Sequence, residues 1–400
     1  MNPKPVFLLA ALFLAAPSGH AQAVVGKPCL FSDYFAEWRT FPSILRDPEG
    51  NLTCGRNRLN NGGATDGPPA AGDPAATAVK RTERTGPQGH FTYRDRDGGI
   101  QDLWFDRHRE KDRWHVDPLN NGGRTQAPPA AGDPSGADFQ GAFHVTYRDL
   151  AGGVQDLWFD RTWHVRQLNQ GGATGAPMAV GNPVQLVHNG WRHVLYRDAE
   201  GTIQDLWFDT LWHAEQVNNG GATRAPAAMG DPVAVGVPGA YHISYRDGRG
   251  GIRDVSYDGS WHEELLNAGG RTEAPLAQGN PCARVVAGAV QHLTYRDLAG
   301  NLQDLWRDGS WRVQRLTAGG LTGAPPAASD PVALVPPSNW EYVAYVDIFG
   351  NAQLLSHFQD HPWQNVWLNA PGLRFWGGVF RLARRGSPLA DPVRRLLQGE

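Results

Sequence analysis

Cysteine is scarce in this sequence, three in 400 residues, at Cys29, Cys54 and Cys282. That excludes a disulfide framework and leaves at most one bridge, Cys29 with Cys54 in an oxidising compartment, with Cys282 left over. Long apolar runs are missing after the first two dozen residues, which excludes membrane insertion by any later helix. Charge of one sign is not in excess either, with 37 Lys and Arg against 40 Asp and Glu. Nothing in that balance suits a phosphate backbone, so no nucleic-acid partner is expected. Apolar residues at the 3.6-residue helical period are also lacking through the body of the chain, which argues against an α-helical fold.

What is abundant points the other way. Forty-nine glycines and thirty prolines break helices and punctuate turns, while fifteen Trp, fifteen Phe and ten Tyr supply a core. Many short strands satisfy both demands. Residues 1–23 read as a signal peptide: Lys4 gives the positive start, Val6–Ala16 the apolar stretch, and Ala21-Gln22-Ala23 a small-residue cleavage site. Export to the periplasm or the medium is the expectation. Loss of Lys4 leaves 36 basic against 40 acidic residues, a formal net of −4.

The body of the chain repeats. Tyr-Arg-Asp or Tyr-Val-Asp recurs with its Tyr at Tyr93, Tyr147, Tyr196, Tyr245, Tyr295 and Tyr345, at steps of 54, 49, 49, 50 and 50 residues. The segment Ile44-Leu45-Arg46-Asp47 is a worn first copy. A fixed period of about fifty residues signals a propeller or solenoid. In the fourth unit the pattern predicts strands at Val184–His188, Arg192–Arg197, Thr202–Phe208 and Trp212–Val217, then a Gly/Ala/Pro crossing loop. Four short antiparallel strands per unit describe a β-propeller blade. A parallel β-helix has shorter coils and fewer turns. The fold class is therefore all-β, a β-propeller of four-stranded antiparallel blades over residues 24–369, with seven blades preferred and six the alternative. Residues 370–400 leave the pattern as a basic tail.

Four recurring positions exceed what a scaffold needs. A His three residues before the Tyr occurs at His90, His144, His193, His242 and His292. An Asp in the third strand occurs at Asp102, Asp156, Asp205, Asp254 and Asp304, and a Trp two residues later at Trp104, Trp158, Trp207 and Trp306. A further Trp opens strand four from Trp114 to Trp363 and reads chiefly as packing. The His and Asp are lost together in the seventh unit while Trp363 persists, which separates them from the packing set. Catalysis needs one His–Asp constellation, not five copies, so no enzyme is expected. The His spacing completes no tetrahedral metal set, and no cofactor is expected. Carboxylate, imidazole and indole together suit a sugar, which presents hydroxyl pairs and an apolar C–H face. Copies on a rigid ring raise avidity.

The pattern His-x-x-Tyr-Arg-Asp-x-x-Gly-x-Ile-Gln-Asp-Leu-Trp, followed by Trp-His and Gly-Ala-Pro-x-Ala-x-Gly-Asn-Pro, resembles the bacterial seven-bladed propeller lectins over about residues 41–369. It is more distantly similar to the six-bladed fungal fucose-specific lectins. The fungal resemblance implies sites between blades in which a strand-two Arg and a strand-three Glu hold the sugar. Those positions correspond to His193 and Asp205 and their equivalents here. His for Arg weakens the charge and Asp for Glu shortens the reach, so fucose is one candidate among related sugars. The expected function is a multivalent lectin whose sugar-binding residues are the five His–Asp pairs and the four strand-three Trp residues, with glycans as partners. A propeller scaffold for protein–protein contacts is the alternative, and a glycosidase is less favoured because sialidase-type Asp turns are not found.

Overall fold

The computed structural model describes residues 49–54, 57–79, 88–108, 111–286, 289–334, 340–358 and 361–367, with short strand segments before residue 47 and after residue 374. The segment 1–23, most of the tail 370–400 and the side chains of Cys29 and Cys54 lie outside the described residues.

The chain forms a six-bladed β-propeller of four-stranded antiparallel blades, built by units two to seven. In the fourth unit the strands are Val184–His188, Trp191–Arg197, Ile203–Phe208 and Trp212–Gln216, each end within one residue of the expected position. The preferred count of seven blades gives way to six. The worn first unit makes only a rudimentary sheet from Val24–Val25, Ile44–Arg46, Leu52–Cys54 and Asn57–Arg58, strands of two or three residues. Strands this short do not make a full blade, although Leu52, Leu59 and Ala70 of that unit pack on Phe91, Tyr93 and Leu103 of unit two. The inserted residues of unit two lengthen a hairpin, with Ile100–His108 pairing along Lys111–Pro118.

Local chemistry explains why each unit folds alike. The Asp closing Tyr-Arg-Asp nucleates the hairpin: Asp198 Oδ1 accepts from the N–H groups of Glu200 and Thr202, and Oδ2 accepts from Gln204 Nε2. Gly201 sits in that turn at φ +79°, where a Cβ would lie 2.7 Å from the Ala228 carbonyl oxygen. The crossing loop is held by two further devices. Tyr196 Oη donates to the Pro177 carbonyl at 2.7 Å. Asn218 Oδ1 accepts from the Ile203 N–H, while its Nδ2 donates to the carbonyls of Gly201 and Pro226. These repeated bonds satisfy loop backbone groups that would otherwise be buried without partners.

The core lies between blades. Ile203, Val217, Ala225 and Ala228 of unit four pack on Tyr241, Ile243, Tyr245 and Val255 of unit five. On the opposite face Leu206 and Tyr196 meet Val154 and Leu168 of unit three. Alternation along strand three therefore serves both neighbours. Trp212, Trp261 and Trp311, opening strand four, pack on these clusters, as expected for a structural position.

Candidate functional site between the blades

The repeated His and Asp come together in every unit that carries them. The His Nδ1 approaches the carboxylate at 2.9 Å for His90–Asp102, 3.3 Å for His144–Asp156, 3.0 Å for His193–Asp205, 2.7 Å for His242–Asp254 and 3.1 Å for His292–Asp304. All ten side chains are buried. The geometry follows from register. His193 stands directly across from Trp207, Leu195 across from Asp205, and His213 on the far side of Trp207. The imidazole thus leans diagonally onto the carboxylate. The indole lies in a row between two imidazoles, stacked on the second at 5.0 Å. The same stacking joins Trp104 to His115 and Trp158 to His164. In unit five Ser256 occupies the indole's place across from His242.

Where Nδ1–H donates to the carboxylate, Nε2 is the ring nitrogen turned away from the Asp. His193 and His292 line two cavities between the blades, while Asp205 and Asp304 are not among the lining residues and bond those imidazoles at Nδ1.

Each pair is met by one residue of the following blade, the residue immediately before the next His or its seventh-unit equivalent. Phe143 stacks on His90 with ring centroids 4.1 Å apart. Arg192 grips Asp156 with two bonds of 2.8 and 2.6 Å. Tyr241 Oη donates to Asp205 at 3.0 Å, and Gln291 Nε2 to Asp254 at 3.1 Å. Glu341 lies 3.6 Å from His292 and accepts from Arg284, which also reaches Asp304. Electrostatics follow these partners. Burial alone would raise the Asp156 pKa, but the Arg192 guanidinium and His144 outweigh it and hold the carboxyl at about 2. Burial pushes the His144 imidazole down, against the pull of Asp156. Asp304 is held well below the carboxylate range because Arg284 and His292 overcome burial. Burial and then the Asp205 charge push the Tyr241 phenol far above its usual value, so it remains a donor.

Among the described residues two cavities open between blades, built from corresponding positions. One, about 320 Å³, lies between units four and five and is lined by His193, Trp207, Glu215, Tyr241, Tyr257 and Trp261, with His188, Asn189 and Trp191 at the neighbouring turn. The other, about 400 Å³, lies between units six and seven and holds His292, Trp306, Gln314, Glu341, His357 and Trp363. His193 corresponds to His292, Trp207 to Trp306, Glu215 to Gln314, Tyr241 to Glu341, Tyr257 to His357 and Trp261 to Trp363. Volumes of this size hold one sugar ring or a disaccharide.

Known structures share this architecture. The lectin BP39L from Burkholderia pseudomallei matches with a TM-score of 0.57 at 15% identity, covering 80% of this chain and 91% of its own. The Aleuria aurantia lectin, described as a six-bladed β-propeller with a fucose recognition mode, gives a TM-score of 0.49 at 13% identity over 73% and 94%. A mutant of it in complex with α-methyl-L-fucoside gives 0.48 at 14% identity over 73% and 94%. At these identities the likeness is one of fold. No protein-family model matches the chain, and no curated protein matches it.

Several cavity residues escaped the sequence reading. Trp191, Glu215, Tyr241 and Tyr257 stand at repeat positions whose residue type changes from unit to unit, so a search for repeated chemistry passes over them. Trp261 and Trp363 were visible but read as packing, and they do pack while also facing a cavity. Among the described residues no three His, Cys, Asp or Glu side chains gather in a way that would hold a metal ion.

Proposed function

We propose that this protein is an exported, non-enzymatic lectin that binds glycans in cavities between propeller blades. The observation that carries the reading is the pair of inter-blade cavities, drawn from the same repeat positions and combining indole walls with an imidazole oriented by a buried carboxylate. Indole covers the apolar face of a pyranose, and the His Nε2 and nearby carboxylates take hydroxyl hydrogens. Lectin activity in similarly folded proteins supports the same reading, with fucose or a related sugar as the first candidate. A glycan array on the purified protein tests it. Binding to fucosylated, methylated or other neutral glycans is expected. Silence across the whole array would leave the protein-interaction scaffold as the better account, and turnover of a glycoside would overturn the non-enzymatic reading.

A further inference from the structure

Among the described residues no guanidinium meets the pair at the cavity between units four and five, which sets this cavity apart from the one between units six and seven. Asp156 faces the guanidinium of Arg192, and Asp304 faces that of Arg284. Asp205 meets only the Tyr241 hydroxyl and the His193 imidazole. Glu215 lines the same cavity and accepts a bond from the Trp261 indole N–H at 3.2 Å, while Asp258 sits at the rim. Among the described residues no Lys or Arg lines this cavity. Carboxylates set among aromatic rings, without a basic side chain, favour a positive ligand group through cation–π attraction and charge-assisted bonds. The buried Nε2 of His188 has no hydrogen-bond partner, and burial holds that imidazole below its usual pKa.

We infer that this cavity selects a sugar carrying a protonated amine over its N-acetylated or neutral counterpart. The inference rests on the sugar-binding reading and narrows it to one site. The ammonium would lie between Glu215 and the aromatic rings, with the pyranose face on indole. At the unit six–seven cavity Glu341 is paired with Arg284 and His357, so the same preference is not expected there.

Tryptophan fluorescence titration of the full chain with a glucosamine trimer and its fully N-acetylated form, at pH 6, tests this. The amine is expected to bind at least about tenfold more tightly, the range of a hydrogen bond to a charged group. Glu215→Gln keeps an acceptor for Trp261 and should shrink that ratio several-fold, with Asp258→Asn as a second, rim variant that cannot disturb the buried packing. Choline, an ammonium without a sugar ring, is the third arm and should bind more weakly than the amino sugar. If the acetylated trimer binds as well as the amine, the inference falls and the lectin reading stands. If choline binds as tightly as the amino sugar, the site reads ammonium alone and the amino-sugar assignment falls. Equal failure of every sugar, here and on the array, removes the lectin reading itself.

Discussion

Replacing Arg192 with Ala tests whether the residue before the repeated His clamps neighbouring blades. Arg192 is 1% exposed. Its guanidinium makes two bonds to Asp156 and one of 2.8 Å to Gln185, and lies 5.5 Å from the Trp212 ring centroid. Removing one partner of a buried ion pair strands the other, which costs about 3–5 kcal/mol. At roughly 2 °C per kcal/mol for a ring of this size, the melting temperature should fall by about 6–10 °C at pH 7. The pH dependence gives a second reading. Depression of the Asp156 pKa from 3.8 to about 2 corresponds to a few kcal/mol of stability. Because the folded pKa is the lower one, that stability is fully present above the unfolded value and is lost as pH falls through about 2. In the variant burial dominates and the carboxyl takes up its proton at higher pH, which relieves the stranded charge. The gap between parent and variant should therefore narrow between pH 7 and pH 3, and Asp156→Asn added to Arg192→Ala should recover part of the loss. Differential scanning calorimetry at both pH values reads this out. A variant melting within 2 °C of the parent, or a gap unchanged with pH, would refute the clamp.

Asn218→Ala should cost about 2–3 kcal/mol in urea unfolding, since it leaves the Ile203 N–H and two carbonyls unpaired at a buried site. Asn218→Thr should cost less, because Thr317 performs the first of those bonds in unit six. Gly201→Ala should destabilise by more than about 1 kcal/mol, because both its positive φ and the Ala228 carbonyl oppose a Cβ; a neutral outcome by thermal melt would show that the turn relaxes. The double change His193→Ala with Asp205→Ala should remove one binding site while the ring stays folded, read as lower stoichiometry by calorimetric titration with an unchanged far-ultraviolet spectrum. Loss of the spectrum would make the pair structural.

Most of the fold was legible because it is local chemistry copied several times. Tyr196, Asp198, Gly201 and Asn218 each act within one unit or its crossing loop, and their recurrence at fixed spacing marks turn and strand alike. The blade count was less legible. The first unit retains Ile44-Leu45-Arg46-Asp47, but the strands that follow are too short for a blade. The site was legible only in part. Recurrence picked out His193, Asp205 and Trp207, which lie together, yet it could not show that the carboxylate bonds the imidazole at Nδ1. Nor could it find Tyr241 or Glu215, whose importance lies in differing from their equivalents.

The joint loss of His and Asp in unit seven also takes on another meaning. Every pair is packed against a side chain of the following blade: Phe143, Arg192, Tyr241, Gln291 or Glu341. Unit seven is neighboured by the short sheet of unit one, whose strand Val24–Val25 lies against Trp340–Val346. At the corresponding positions unit seven has Tyr342, Leu354 and Ser356. Glu341 instead reaches back to Arg284 and sideways to His357. Joint loss of His and Asp beside so short a sheet fits a change of inter-blade packing as well as the loss of a ligand site, and it does not distinguish the two. The distinction falls to the residues that face the cavities without repeating. A clamp needs only a partner that fills or pairs, as Phe143 and Arg192 do. Trp191 is large, apolar and substantially exposed at the mouth of the unit four–five cavity. Packing does not require an indole there, whereas a pyranose face would use one.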